Sequence, residues 1–450
     1  HASNSSLYTN MSANGNYKHI FDSTGREISV DADYIYYNNR NDNNLNTQSL
    51  DAYNIKKGTA VKLAGQIPSN INIYSAKVDY VHPFKSGLKL ESGLKTSFVH
   101  TDNQVEYLRN SGNGWSLDDR SNHFVYDENI TAAYTILSKK IKKWDLIAGL
   151  RLENTMSKGH QVKIDSSFNR NYTNLFPNAG IGFSANNKNQ INFSYSRRVS
   201  RPNYDDLNPF VYFIDSLTYG QGNPYLQPQF THNIELSHTY NKFLTTTINY
   251  TQTNDIITEL LKQNTEKKTT YATKENLSSM QQLGLAVTAN IPVKKWWNLN
   301  LYTNAFNNHF KGVYQQDPID VNISSFTGNI INSFTIGKGW SAELSGWYRS
   351  KGADRLLISN SMSAVNSAIS KQLFKKKATL KMGIRDIFFM QQFSGYAKYS
   401  DVDVIVAAKR DSRQFNLSFN YRFGKTNIPS ERRKTGGAND EQSRVKSGSN

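Results

Sequence analysis

Apolar and polar residues alternate along most of this chain with a period of two. The clearest run spans 413–423, where Phe415, Leu417, Phe419, Tyr421 and Phe423 alternate with Gln414, Asn416, Ser418, Asn420 and Arg422. A strand sends successive side chains to opposite faces, so one face of this segment is aromatic and the other polar. The pattern is strong at 143–156, 189–200, 243–253, 296–306, 339–349 and 377–389. It is weaker at 7–21, 27–40, 59–82, 88–101, 123–138, 172–185, 228–240, 278–292, 321–336 and 362–373. Together these segments predict about seventeen amphipathic strands. In 189–200, Ile191, Phe193, Tyr195 and Val199 share one face, while Asn192, Ser194, Ser196 and Arg198 share the other.

The connectors predicted between these strands alternate in length. Short ones fall near 22–26, 83–87, 139–143, 186–189, 241–242, 292–295, 337–339 and 374–376; long ones fall near 41–58, 102–122, 157–171, 201–227, 254–277, 307–320, 350–361 and 390–412. Short turns on one side and long loops on the other are the pattern of an outer-membrane barrel. Arg151, Glu153, Glu343 and Arg349 alternate with apolar neighbours. Unpaired charge is costly in a dry core, so these residues suit a water-filled lumen. The expected fold is therefore all-β, an antiparallel transmembrane β-barrel over 1–423. Seventeen strands ending at the periplasm would put the N-terminus outside the cell. Bacterial single-chain barrels close with an even number, so further strands are expected before His1.

Composition agrees without deciding the matter. Hydrophobic residues make up 37% and the mean hydropathy is −0.63. No stretch approaches the roughly 18 apolar residues of a membrane helix, but a barrel strand needs only every second residue apolar. Aromatics reach 12%, which would supply interfacial girdles. With no cysteine, disulfides, thiolate metal sites and cysteine nucleophiles are excluded. The net charge of +17 invites a nucleic-acid reading. Many lysines, however, cluster in predicted short turns, at 139–143, 294–295 and 375–377, and no nucleic-acid-binding motif accompanies them. They fit solvated turns near anionic lipid head groups. Residues 424–450 lose all periodicity and read as a disordered, basic periplasmic tail.

The stretch Tyr195–Gln229, YSRRVSRPNYDDLNPFVYFIDSLTYGQGNPYLQPQ, carries a resemblance. It is similar to the signature of the outer-membrane β-barrel family of Bacteroidetes, the barrel portion of TonB-dependent-receptor-like proteins. KVDYVHP at 77–83, GLRLENT at 149–155, YTNLFP at 172–177, WWNL at 296–299, YRFG at 421–424 and RRKTG at 432–436 fit in the same order. The resemblance implies the C-terminal seventeen or so strands of a 22-stranded barrel with a plugged lumen. The N-terminal plug and the TonB-contacting segment are absent from this chain. The implied function is uptake of a bulky nutrient such as a siderophore, glycan or peptide. The alternative is a non-transporting barrel with an adhesive or envelope-structural role. Implied partners are outer-membrane lipid and lipopolysaccharide, the barrel-assembly machinery, the TonB complex through the missing N-terminal region, and a surface lipoprotein.

Candidate chemistry gathers on one long loop. Arg197, Arg198, Arg201, Asn203, Tyr204, Asp205, Asp206, Asn208 and Asn223 crowd the top of one strand and the segment after it. As ligand or plug contacts, arginine would pair with carboxylate or phosphate, and Asn and Tyr would suit sugars or peptides. The other reading is a structured loop, stiffened by Pro202, Pro209, Pro224 and Pro228 and turned by Gly220 and Gly222. Asp205, Asp206 and Asn208 offer oxygen ligands to calcium, but no EF-hand spacing surrounds them. The histidines are scattered without HExxH, position 419 is Phe where a P-loop before Gly424-Lys425-Thr426 needs Gly, and no GxSxG elbow occurs. No catalytic residue, metal or cofactor is expected. The alternation Phe415, Leu417, Phe419, Tyr421, Phe423 resembles the C-terminal barrel-insertion signal, and it is also the lipid-facing pattern of any strand.

Overall fold

The computed structural model describes residues 2–424 except 216, 265, 267 and 401, together with 436–445. One antiparallel ladder runs in chain order through Ala2–Ile20, Glu27–Leu50, Lys56–Pro83, Leu88–Asn110, Asn122–Ile141, Trp144–Gln161, Ser166–Asn186, Asn189–Ser200, Gln229–Tyr240, Leu244–Asn264, Thr269–Lys294, Trp297–Tyr314, Asp317–Gly337, Trp340–Arg349, Met362–Leu373, Ala378–Arg385 and Gln414–Tyr421. These are the seventeen expected strands. Ala2 pairs with Leu45 at the long-loop rim, so the chain does start on that side. Among the described residues no ladder joins Ala2–Ile20 to Gln414–Tyr421, and each of these two strands pairs along one edge.

Register explains the outer face. Leu146, Ile181, Phe193, Leu236, Ile248, Leu285, Ala305 and Phe326 stand directly opposite one another across eight successive strands. All eight are exposed. Leaving such side chains in water forfeits about 1.5–3 kcal/mol each relative to burial, so this face fits a bilayer. At the short-turn end the rings cluster: Trp144 lies 4.4 Å from Phe183, Tyr240 lies 5.7 Å from Phe243, and Phe374 lies 6.1 Å from Tyr421. This is one aromatic girdle. The opposite face is polar, with Asp31, Ser75, Lys95, Ser97, Glu128, Glu153, Thr155 and Ser157 all buried.

The short connectors fall where expected. Several of the long ones do not form loops. Lys56–Pro83 is 28 residues, about 90 Å at strand rise, where a membrane needs only 9–11. The segments expected as loops at 41–58, 102–122, 157–171, 254–277 and 307–320 are largely continuations of the ladder, closed by tight tips. Beyond the bilayer neither face needs apolar residues, so Asn38–Asn46 and its like keep the backbone pairing while losing the alternation. The segments at 350–361 and 390–412 form a separate four-stranded sheet of Gly352–Asp354, Leu357–Ser359, Phe393–Tyr399 and Val402–Ala408.

The unstructured reading of 424–450 does not hold for 436–445. These residues include a helical turn, Asn439–Gln442, seated against the inner wall. Residues 425–435 and 446–450 lie outside the described residues.

Candidate functional site

The segment after Ser200 leaves the ladder because Pro202 has no N–H to donate. It then folds inward. Tyr204–Leu207 makes one helical turn, and Val211–Phe213 and Thr218–Gln221 pair as a small hairpin. Asp215 shapes the hairpin tip, its Oδ1 accepting N–H bonds from Leu217 and Thr218, both at 2.8 Å. Thr218–Gly220 runs parallel to Thr270–Ala272 of the wall, and Tyr219 stacks flat on Tyr271 at 5.1 Å.

Apolar burial holds this loop in the lumen. Tyr204, Leu207, Phe210, Phe213 and Leu226 pack on Ile35, Tyr37, Ile71, Ile73, Val99, Tyr107, Phe124 and Tyr126 of four neighbouring strands. Each of these five anchors contributes about 1.5–3 kcal/mol toward ordering the loop, and hydrogen bonds add to them. Tyr107 donates its hydroxyl to the Val211 carbonyl at 2.7 Å, and Asn43 donates to the Phe213 carbonyl at 3.2 Å. Arg120 stacks on Phe213 at 4.4 Å, and Asp118 holds it with two bonds of 2.6 Å. Burial raises the Asp118 pKa, and its bonds with Arg120 more than reverse this, holding the carboxyl below its ordinary value.

The structure divides the sequence-predicted residues between two cavities. Arg198, Arg201 and Asn203 line one of about 440 Å³ with Arg197, Arg151, Glu153 and residues of the C-terminal segment. Arg201 pairs with the buried carboxylate of Glu153 and donates to Thr155 Oγ1 at 3.2 Å. Arg151 takes the other oxygen of Glu153 at 2.6 Å. Burial alone would lower the Arg201 pKa, but Glu153 outweighs it and holds the guanidinium above its ordinary value. Arg197 stacks on Phe230 at 4.8 Å and donates to the Leu175 carbonyl at 2.7 Å.

Asp205, Asp206 and Asn208 line the second cavity, about 340 Å³, with Asn39, Asn41, Ser69, Asn103, Tyr212, Glu259 and Lys274. Asp206 is buried and lies 2.8 Å from Lys274 Nζ. Asn223 closes this arrangement, its N–H donating to the Asp206 carbonyl at 2.7 Å and its side chain to the Lys274 carbonyl at 2.9 Å. Gly222 backs directly onto the Asn208 carbonyl, leaving no room for a Cβ. Tyr204 belongs to neither cavity; it is buried, and desolvation pushes its phenol well above the ordinary range.

The wall residues that complete the site were less legible. Arg151 and Glu153 stood out as lumen charges. Lys95, Ser97 and Glu128 lie on the same inner face, and their strand alternation could have flagged them. Lys274 sits in a stretch expected as a loop, and Glu441 and Arg444 in one expected as a tail; no pattern marked them. Among the described residues no three His, Asp or Glu side chains converge as a metal site. The arrangement offers a polar, charge-paired lumen suited to hydrogen-bonding a hydrophilic guest.

The outer membrane protein beta-barrel family matches residues 19–421. No curated protein matches the chain. Among solved structures, it is similar to the ferric yersiniabactin uptake receptor FyuA from Yersinia pestis, at 11% identity and a TM-score of 0.57, over 89% of this chain and 62% of that one. The siderophore receptor PiuA from Acinetobacter baumannii gives 13% and 0.62, over 92% and 64%. The copper transporter OprC gives 12% and 0.65, over 94% and 66%. At such identities the likeness shows the fold. The chain spans less than two thirds of the length of each.

Proposed function

This chain belongs to the outer membrane protein beta-barrel family, and so to the Gram-negative outer membrane, and we propose that it forms the wall of a TonB-dependent-receptor-like importer for a bulky hydrophilic nutrient. The observation that carries this reading is the inward loop 201–228. A loop that merely capped the rim would keep its anchors outside the barrel. This one buries Tyr204, Leu207, Phe210, Phe213 and Leu226 against the inner wall and presents charged and amide groups to two cavities. The similar proteins are described as a ferric yersiniabactin uptake receptor, a siderophore receptor and a copper transporter, which favours a metal chelate, with glycans and peptides as further candidates.

The reading assigns a plug, a TonB-contacting segment and about five more strands to sequence before His1, completing the 22 strands of a plugged barrel. It is supported by the two strand edges at Ala2–Ile20 and Gln414–Tyr421, because unpaired backbone groups in lipid cost several kcal/mol each. Lipopolysaccharide, the barrel-assembly machinery, the TonB complex and a surface lipoprotein are its proposed partners; catalysis has no part in it.

The test is to sequence the gene upstream of His1, delete it, and measure growth on single siderophores, glycans and peptides. A plug-sized domain with five further amphipathic strands, and a growth defect on one nutrient that also requires TonB, is expected. A complete gene without a plug, and no growth phenotype, would replace this reading with the adhesive or structural one.

A further inference from the structure

We propose that Gly436–Val445 is a resident ligand of the lumen wall, a latch that ties the C-terminal end of the chain to the base of the inward loop. The segment presents Glu441 and Arg444, three residues apart, to a wall of matching charge. Glu441, 1% exposed, receives Lys95 Nζ on one oxygen at 3.0 Å and the Ser97 hydroxyl on the other at 2.6 Å. Arg444, 7% exposed, pairs with the buried carboxylate of Glu128, which also accepts the Tyr126 hydroxyl at 2.8 Å. Desolvation would lower the Arg444 pKa, and Glu128 overrides it.

Two features separate this from a tail resting where it happens to fall. First, the wall is complementary at both charges. Among the described residues, both ion pairs of Lys95 are with the segment, to Glu441 and to Asp440. Charges this buried are tolerated when paired and hydrogen-bonded, and here each is. Second, the contact extends to the loop. Arg444 Nε donates to the Pro202 carbonyl at 2.9 Å, its own carbonyl accepts the Tyr204 N–H at 3.2 Å, and its guanidinium stacks on the Tyr204 ring at 4.2 Å. The first turn of the inward loop is therefore held from one side by its apolar anchors and from the other by Arg444. The geometry is within reach. Lys95 lies seven residues above Leu88, about 23 Å from the short-turn rim, and the twelve residues from Gly424 to Gly436 span up to about 40 Å. A guest that opens the loop must break the Arg444 contacts, and a pull on the tail must disturb the loop.

Residues 1–450 contain no cysteine, so a designed pair supplies the only thiols of this stretch. A Cβ added at Gly437 would lie 3.1 Å from the Ser75 hydroxyl, close enough for a disulfide after small rotations. The natural gene product carrying Ser75→Cys and Gly437→Cys is oxidised mildly in isolated outer membranes. The linked peptide is quantified by mass spectrometry on barrels that migrate in the folded, heat-modifiable form. We expect the disulfide to form in most molecules, and its yield to fall at least tenfold when Arg444→Glu is added. Folded barrels without the disulfide, or with an equal yield in the Arg444→Glu background, would overturn the proposal. This outcome is separate from the import reading, since it requires neither transport nor a known nutrient.

Discussion

Asp206 and Lys274, 68 positions apart in the chain, lie 2.8 Å from each other and join the helical turn of an inward loop to a wall strand. The carboxylate is buried and the ammonium half-buried. Removing the cation leaves a charge with less compensation than its burial requires, at a cost of about 1–3 kcal/mol. Lys274→Ala should therefore speed amide exchange across 203–223 by roughly five- to a hundred-fold while the barrel still folds. The Asp206→Asn, Lys274→Ala double variant should recover part of the loss. Exchange unchanged in the single variant would show that apolar anchors alone hold the loop.

Gly222 is required by space. Its missing side chain admits the Asn208 carbonyl, and Gly222→Ala would force the two backbones apart. Overpacking of this kind costs about 1–3 kcal/mol. Because Asn223 follows directly and bonds both Asp206 and Lys274, the variant should loosen the same 203–223 segment without altering the outer strands. Exchange or limited proteolysis checks this, and protection equal to the parent would contradict it.

Acidification should act through Asp118. Its carboxyl is held below the ordinary value by Arg120, so its contribution is complete above the unfolded carboxyl pKa, near 3.9, and is lost as pH falls through the lower folded value. Protonation frees Arg120 from its two bonds and weakens its stacking on Phe213. Protection of 211–221 should drop below about pH 4 in the parent, beyond the ordinary pH dependence of exchange. Asp118→Asn should show the loosened state already at pH 7. The same profile in both would remove Asp118 from the account.

The last strand pairs Phe415, Leu417, Phe419 and Tyr421 with Ile384, Met382, Leu380 and Ala378. It bears the outward apolar alternation and ends next to the exposed ring of Phe423. Deleting 415–423 should abolish insertion, read as loss of heat-modifiable barrel from the outer-membrane fraction. Normal amounts of folded barrel would show that neither the strand nor a signal within it is needed.

Much of this fold was legible because a membrane wall is repetitive. The alternation around Phe193 and Leu236 located their strands to within a residue or so, that around Leu285 located the membrane part of a longer strand, and the short turns followed. The ribbons beyond the bilayer were misread as loops for a physical reason. Asn38 and its neighbours pair through their backbones, and backbone pairing leaves no trace in side-chain polarity. The candidate site was half legible: its loop was found from Arg201 to Asn223, while Lys274, Glu128 and Lys95 were not joined to it.

The sequence by itself determined the period-two pattern, hence a greasy face and a wet face, the strand number and the sides on which short and long connectors lie. Only the tertiary structure decided that the loop turns inward, that Arg201 meets Glu153, that Asp206 meets Lys274 and that Arg444 meets Glu128. Alternation is a local property, set by the pleat from one residue to the next. These pairs join residues 48, 68 and 316 positions apart, and their meeting depends on sheet curvature and register, which many strands set together.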